Sequence, residues 1–400
     1  MLYDHQQKLL DLNPAMHLIA WGTGTGKTIT AIELAMKNGE EALIICPKSL
    51  VEQWKAQVPD NWLVISKEQF KKKYRQLNSF NCLIVDEAHY FGNYKSGLTK
   101  ALLDYIKLHK PKYRYLLTAT PYLSSSWNLY SYGLIFGKDW NWYKWYKHYF
   151  NEVKFGQRKI PVAKKIVNGL PIEQEIARLV SVLGSTVALE DCFDVPEQIY
   201  QTEYFELTKP QLSAIADNWD PLPIVRFTSE AQICGGTLKG DGYREDQTFA
   251  SEKMSRCLDL IKEHKKLVVV CHFNNEIKAL ANKVGKKKAI IINGDAKDRH
   301  RLVAMAEAVD DCVVFINSAC SEGFELPSFP IMVFYSYGYS LKDAVQMRGR
   351  ILRANKLKKN VYLSLVVKDS IDEDIYKCIE SKQDFQCEIY ARERHANTIR

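Results

Sequence analysis

The sequence predicts an α/β protein with two parallel-sheet domains, and three observations indicate this fold class. The chain has 400 residues, which is too long for a single hydrophobic core and suits two or three domains. Short apolar runs typical of buried strands alternate with helical patterns within residues 1–125. The same alternation returns within residues 196–400. Such alternation is typical of a parallel sheet covered by helices.

The segment between these regions has a different composition. Residues 122–155 contain thirteen aromatic residues, and residues 138–165 contain eight Lys or Arg against two acids. We therefore predict a first domain at 1–125, a helical, aromatic-rich and basic insert at 126–195, and a second domain at 196–400 that ends in a helical tail. Aromatics interleaved with cations are typical of nucleic-acid contact, with Trp140, Trp142 and Lys144 as candidates. The alternative is that the aromatics are simply the core of the insert.

The overall composition is that of a globular protein, with 46% hydrophobic and 26% charged residues. The net charge of +8 favours a polyanionic partner, although many basic proteins carry only solvated lysines. The ten cysteines form no C-x-x-C pair, so we expect reduced thiols and neither disulfides nor a zinc site. There is no signal-peptide pattern and no apolar run of membrane-spanning length, so we expect an intracellular protein with no membrane partner.

A glycine-rich loop follows the first apolar run. The order is an apolar strand, the loop and then a helical pattern, and it predicts a phosphate-binding loop. Glycines let backbone N–H groups turn toward phosphate oxygens where a Cβ would crowd the ligand. Lys27 would neutralise the β- and γ-phosphates, and the Thr28 hydroxyl would bind Mg²⁺. The residues expected to bind the nucleotide here are Gly22, Thr23, Gly24, Thr25, Gly26, Lys27 and Thr28.

This loop departs from the strict pattern at one position. Trp21 stands where the pattern G-x-x-x-x-G-K-[ST] has a glycine, while the core from Gly24 to Thr28 is intact. We interpret it as a variant loop that still binds phosphate. The alternative is a glycine-rich turn without a ligand.

Two acids follow the apolar run Cys82 to Val85. At the end of a strand, Asp86 can hold Mg²⁺ and Glu87 can polarise the attacking water. Paired acids after a strand can also be a solvated turn, but their place after a phosphate loop favours the catalytic interpretation. Thr118 and Thr120 follow the next strand, where their hydroxyls could bond the acids or could simply terminate the strand.

These motifs together resemble those of superfamily 2 helicases and translocases, and their sequences are most similar to the SWI/SNF branch. Motif I is Gly24 to Thr28, motif II is Asp86-Glu87-Ala88-His89 and motif III is Thr118-Ala119-Thr120-Pro121. Gln6 lies where this family has its adenine-reading glutamine, although a lone Gln is also common on a surface helix. The stretch from Ile45 to Trp54 is similar to motif Ia. The resemblance implies that Pro47, Lys48, Ser49, Thr118 and Thr120 contact nucleic acid.

The second domain carries further family motifs. His272 follows a buried strand, the stretch 321–327 resembles motif V, and 346–353 matches the pattern Q-x-x-G-R-x-x-R of motif VI. The resemblance implies nucleic-acid contacts by His272 and Ser321, nucleotide contacts by Gly323 and Glu325, and catalytic roles for Gln346, Arg350 and Arg353. Because Arg350 and Arg353 are three residues apart, we expect them to share one helix face. We expect Arg348 to be an ordinary basic residue on the helix surface.

The resemblance implies an ATP-dependent DNA helicase or translocase in which two RecA-like lobes close on ATP and Mg²⁺. DNA is the expected partner, as duplex, forked or single strands, together with replication or recombination proteins. By analogy, the location is the cytoplasm of a bacterial or phage-infected cell. Two alternatives stay open: an RNA helicase, and a DNA-binding or origin-remodelling factor that uses ATP only as a clamp.

Overall fold

A computed structural model describes the chain at residues 2–39, 41–120, 127–155, 158–218, 220, 222–240, 245–285, 287–294, 296, 298–320, 323–352, 359–381 and 385. The chain forms two compact units, residues 1–194 and 195–400. The boundary between them lies beside the predicted end of the insert. Each unit is built on its own parallel sheet, so the predicted α/β fold class is confirmed.

The first unit contains a six-stranded sheet in which every strand pair is parallel. Neighbouring residues of one strand contribute to different core clusters, because successive side chains point to opposite faces. The sheet is therefore buried on both faces, as parallel sheets usually are. Its strands are β1 (Met16–Trp21), β2 (Ala42–Cys46), β3 (Leu63–Ser66), β4 (Cys82–Val85), β5 (Tyr113–Leu117) and β10 (Gly184–Val187), in the order β10-β1-β5-β4-β2-β3.

Eight helices accompany this sheet in the described part of the first unit. Their buried side chains join the two core clusters; for example, Leu34 on the second helix packs in one cluster and Leu102 on the fifth packs in the other. The helices are α1 (Asp4–Leu12), α2 (Lys27–Lys37), α3 (Val51–Lys55), α4 (Lys67–Lys73), α5 (Gly97–His109), α6 (Trp127–Ile135), α7 (Trp142–Tyr149) and α8 (Ile172–Leu183).

The segment predicted as a helical insert belongs to the first unit. It contains α6, α7 and α8, but also two antiparallel strand pairs: β6 (Phe150–Phe155) with β7 (Arg158–Ala163), and β8 (Ile166–Val167) with β9 (Leu170–Pro171). It ends in β10, which pairs with β1 as the edge strand of the main sheet. An ideal Cβ on Gly184 would lie 1.9 Å from the Leu18 carbonyl oxygen, so only glycine allows this approach.

The second unit repeats the architecture with another six-stranded parallel sheet. Its strands are β11 (Gln198–Phe205), β14 (Lys266–Cys271), β15 (Ala289–Ile292), β16 (Cys312–Asn317), β17 (Ile331–Phe334) and β18 (Asn360–Val367), in the order β11-β18-β17-β14-β16-β15. A small antiparallel pair is formed by β12 (Thr237–Leu238) and β13 (Gln247–Thr248).

The helices of the second unit supply the rest of its core. The described ones are α9 (Lys209–Ala216), α10 (Pro223–Cys234), α11 (Glu252–Glu263), α12 (Asn274–Val284), α13 (Arg299–Ala308), α14 (Leu341–Arg348) and α15 (Ile371–Glu380). Across the described ranges of both units, each helix is too short or too polar to cross a lipid bilayer. Every described cysteine is a free thiol.

A buried ion pair joins two helices of the second unit. Lys253 on α11 is 1% exposed, and its Nζ lies 2.7 Å from Oδ2 of Asp372 on α15. The same oxygen accepts a hydrogen bond from the main-chain N–H of Val367, the last residue of β18. A buried charge that loses its partner is strongly destabilising, because the interior does not replace the lost solvation.

We predict that Asp372→Asn lowers the free energy of unfolding by about 3–5 kcal/mol, because it removes the carboxylate that is paired directly with the buried Lys253 ammonium. Urea denaturation of the full chain measures this change. Asp259→Asn is the matched control, since Asp259 and Lys262 form an exposed pair on α11; its cost should stay below about 1 kcal/mol. Equal midpoints for the two variants would show that the buried pair contributes nothing.

Candidate nucleotide-binding site

The predicted nucleotide-binding residues of the first unit lie at one edge of its sheet. The strands β1, β5, β4 and β2 are consecutive neighbours and parallel, so their carboxyl ends meet at the same edge. The glycine-rich loop follows β1, the threonines follow β5, the paired acids follow β4, and Pro47 follows β2. The structure thus brings together four motifs that are far apart in the sequence.

The loop after β1 leads directly into the first turn of α2. Gly24 and Gly26 have φ values of 78° and 83°, a region that favours glycine. Gly26 caps α2, which begins at Lys27, so the positive end of the helix dipole points at the loop. The Lys27 ammonium donates to the carbonyls of Trp21 and Gly22, at 3.0 and 2.8 Å. A positive, N–H-rich loop of this kind is suited to phosphate.

The position of Trp21 in the structure accounts for its departure from the strict loop pattern. It is the last residue of β1 and is 1% exposed, so its ring lies in the core rather than among the loop amides. Its indole N–H donates to the Ser185 hydroxyl at 2.9 Å, and Gly22 N donates to the Val187 carbonyl at 2.7 Å. The loop is therefore anchored to β10. Ser185 gave no signal in the sequence, because it lies more than 160 residues away.

The buried side chain of Gln6 forms a hydrogen bond with the main chain of the loop. It is 2% exposed; its Nε2 donates to the Gly26 carbonyl at 3.2 Å, and its Oε1 accepts from the Tyr3 main-chain N–H at 2.8 Å. The neighbouring His5 places Nε2 2.9 Å from the Thr25 carbonyl. Gln6 thus lies beside the loop, while adenine recognition by its amide stays a prediction.

Asp86 is held by three hydrogen bonds. Its Oδ2 accepts from the Trp54 indole at 2.8 Å and its Oδ1 from the Glu87 main-chain N–H at 2.9 Å. Its own N–H donates to the Ile45 carbonyl at 2.8 Å. Burial, and after it the neighbouring Glu87 carboxylate, raise the pKa of Asp86 to about 7. The contact between Trp54 and Asp86 was not predicted from the sequence, because an apolar residue on a short helix is usually a core residue.

Glu87 adopts a left-handed backbone conformation with φ 49°, which is uncommon for a residue with a side chain and typical of functional sites. Its Oε2 lies 3.1 Å from Nδ1 of His89, and both side chains are mostly buried. Thr118 is fully buried, and its hydroxyl accepts from the Thr120 main-chain N–H at 3.1 Å. The predicted bonds from these threonines to the acids stay predictions.

The donor set at this edge fits Mg²⁺ that arrives with a nucleotide. In the described ranges, no three His, Cys, Asp or Glu side chains come together as a metal site. Mg²⁺ is commonly bound by one or two carboxylates together with substrate phosphates and water. Asp86 and the hydroxyl of Thr28 meet that requirement, and the raised pKa of Asp86 indicates a carboxylate that a cation would stabilise.

The segment predicted to contact nucleic acid begins at the same edge. Lys48–Leu50 forms a single 3-10 turn that runs into α3. Pro47 is buried, Ser49 is half-buried and Lys48 is exposed. Lys48 is therefore free of the core and accessible to a polyanion, although contact with nucleic acid stays a prediction.

In the second unit, motifs V and VI come together. The guanidinium of Arg350 donates to the Phe324 carbonyl at 2.9 Å, and the Leu326 N–H donates to the Arg350 carbonyl at 2.8 Å. The predicted nucleotide contacts Gly323 and Glu325 lie in this same short stretch. Gln346 is 1% exposed on α14.

Two expectations about motif VI need correction. We expected Arg350 on a helix face, but α14 ends at Arg348 and Arg350 lies in the turn after it. Arg348 is also not an ordinary surface residue: its guanidinium lies over the rings of Tyr200 and Phe334 and pairs with Glu380. The motif pattern reveals neither the end of the helix nor the contacts of Arg348. The predicted sites Arg353 and Ser321 lie outside the described residues.

His272 follows β14, as predicted. Its Nδ1 lies 3.0 Å from the Ser318 hydroxyl, and its main-chain N–H donates to the Ser336 hydroxyl at 2.7 Å. Burial lowers the pKa of His272 to about 4, so the ring is neutral at pH 7. Any contact with nucleic acid would therefore use hydrogen bonding rather than charge.

The aromatic residues of 126–195 pack against one another. The ring of Trp140 stacks on Trp145 at a centroid distance of 4.7 Å, and that of Trp142 lies 4.5 Å from Tyr94. This packing matches the alternative in which the aromatics form a core. Lys144 is exposed on α7. Base contacts by Trp140, Trp142 and Lys144 stay predictions.

Comparison with known proteins adds three findings. Residues 252–355 match the family model of the helicase conserved C-terminal domain. A SWI/SNF-related matrix-associated actin-dependent regulator of chromatin subfamily A-like protein 1 from Xenopus laevis is 21% identical and aligns with 91% of this chain. The chain spans only 41% of that relative's length. The SWI2/SNF2 ATPase core of Sulfolobus solfataricus, solved in complex with dsDNA, is 16% identical, with a TM-score of 0.41 over 95% of this chain and 91% of the other.

We predict that Gly26→Ala weakens nucleotide binding at least tenfold. An ideal Cβ at Gly26 would lie 2.2 Å from Gln6 Nε2, and the φ of +83° would strain any side chain. A fluorescent ATP analogue measures the change. Gly39→Ala is the control, since Gly39 has φ +65° but no atom within 4 Å of its ideal Cβ, so it carries the backbone strain of about 1–2 kcal/mol alone. Equal losses in both variants would mean that contact with Gln6 is irrelevant.

Proposed function

We propose that this chain, which belongs to the superfamily 2 helicases of the SNF2 type, is an ATP-driven motor that translocates on DNA. The observation that carries the proposal is the shared sheet edge of the first unit. There the loop lysine follows β1, and the buried Asp86 and the strained Glu87 follow β4, which is parallel to β1 and separated from it by β5. This arrangement is suited to binding and hydrolysing a nucleoside triphosphate.

The loop and α2 bind the phosphates in this proposal. The N–H groups around Gly24 and Gly26 face the phosphate oxygens, and Lys27 exchanges its two carbonyl partners for the β- and γ-phosphates. Gln6 holds the loop at Gly26, so the loop geometry is set before the ligand arrives. Preorganised donors of this kind stabilise phosphoryl charge without reorganisation during the reaction.

The two acids divide the remaining tasks. Asp86 and Thr28 hold Mg²⁺, which when bound spreads the charge that develops on the phosphates. Glu87 orients the attacking water, and its Oε2 lies 3.1 Å from Nδ1 of His89. That Gln346, Arg350 and Arg353 act on the same nucleotide stays a prediction from the resemblance.

Duplex DNA is the track that we favour. The Xenopus relative is named as a regulator of chromatin, and chromatin presents duplex DNA. The net charge of +8 suits a polyanion, and the exposed Lys48 lies at the nucleotide-binding edge of the sheet. Phosphate contacts by such lysines make binding depend steeply on salt.

We predict that duplex DNA stimulates steady-state ATPase activity of the full chain more than single-stranded DNA or RNA does. The physical reason is that only a bound track completes the productive arrangement of the motor. A phosphate-release assay with duplex, forked and single-stranded DNA and with RNA measures this. Stimulation by RNA alone would replace the proposed track, and no ATPase activity under any condition would contradict the proposed function.

Two variants serve as controls for that assay. Lys27→Ala should abolish turnover by weakening ATP binding, because the phosphates lose their cation. Glu87→Gln should abolish turnover while ATP still binds, because the amide cannot act as a base on water. Normal turnover in Glu87→Gln would show that the activity comes from another site.

A further inference from the structure

One segment of the first unit contacts Asp86 at both its main chain and its side chain. The 45–54 segment begins at Ile45, whose carbonyl accepts from the Asp86 N–H at 2.8 Å. It ends at Trp54, whose indole N–H donates to Asp86 Oδ2 at 2.8 Å. The carboxylate is thereby fixed relative to this segment in both position and rotation.

The Trp54 contact is specific as well as buried. Trp54 is 2% exposed and packs in the core cluster that also contains residues of β1 and β2. The second oxygen of Asp86 accepts from the Glu87 N–H. Each oxygen therefore accepts one protein hydrogen bond and keeps a further lone pair for a cation or its water. Partners of metal ligands that act in this way set both ligand orientation and metal affinity.

The same segment contains the residues expected to contact the track. Pro47, Lys48 and Ser49 lie between its two contacts with Asp86. The turn is continuous with α3: Leu50 N donates to the Pro47 carbonyl, and Val51 N donates to the Lys48 carbonyl. The turn and α3 therefore form one continuous stretch of helical structure from Lys48 to Trp54.

We propose that Trp54 is a positioning residue through which nucleic acid bound at Lys48 and Ser49 sets the orientation of Asp86. When the track binds, the turn and α3 move together, and the indole aligns the carboxylate for the nucleotide-borne Mg²⁺. This inference rests on the proposed function. It adds a defined physical route from the track to the metal-binding side chain.

The test is Trp54→Phe in the full chain, which keeps a ring in the core and removes the N–H donor. The measured quantity is the Mg²⁺ concentration for half-maximal binding of a fluorescent, non-hydrolysable ATP analogue, with and without duplex DNA. In the wild-type chain we expect duplex DNA to lower this concentration. In Trp54→Phe we expect it to rise about tenfold, within the 10–100-fold range for such partners, and to be insensitive to duplex DNA.

Trp62→Phe is the matched control, because Trp62 is a buried indole of the same core cluster; it should behave as wild type. An unchanged Mg²⁺ requirement in Trp54→Phe, or an intact response to duplex DNA, would overturn the inference. A wild-type chain that binds no nucleotide even with Mg²⁺ would instead overturn the proposed function.

A second measurement uses the wild-type chain and does not depend on the folding of a variant. In wild-type chain labelled with ¹⁵N-tryptophan, the Trp54 indole resonance should shift when duplex DNA is added without nucleotide, while that of Trp62 should not. A Trp54 resonance that stays in place at saturating duplex DNA would also overturn the inference.

Discussion

Parallel pairing of β1, β5, β4 and β2 is the constraint on which the candidate site depends. Because these strands run in one direction, the residues that follow them meet at one edge, whatever their separation in the chain. Each of the motifs at that edge is a short stretch without a core of its own. The sheet, buried on both faces, supplies the rigidity that the loops lack.

That rigidity supports two locally unfavourable features. Glu87 has a positive φ despite its side chain, and Asp86 is a buried carboxyl beside another acid. Each costs free energy in the absence of ligand. Their coincidence at one edge is typical of a functional site, where strain and charge are retained because binding relieves them.

Much of this arrangement could be predicted from the sequence. The strands, the loop and the acids leave local patterns: apolar runs, fixed glycine spacing and paired carboxylates at strand ends. The fold class and the grouping of motifs follow from those patterns, because parallel topology has few solutions. The fold class of the second unit could be predicted in the same way, from its own alternation of strands and helices.

The remaining features depend on contacts between distant residues. Ser185 anchors Trp21 from an edge strand, and Trp54 bonds Asp86 from a helix that reads as core. α14 ends at Arg348, and Arg350 in the turn that follows bonds to Phe324 and Leu326, which are distant in the sequence. In 126–195, aromatic composition alone did not distinguish a stacking surface from a packed core, and the ring contacts favour the core.

The most direct test of the central claim is movement along duplex DNA. A third strand bound to a duplex should be released by the full chain during ATP hydrolysis, while the underlying duplex stays paired. That result would establish translocation without strand separation. If duplex DNA stimulated hydrolysis but the third strand stayed bound, the chain would be an ATP-dependent clamp rather than a motor.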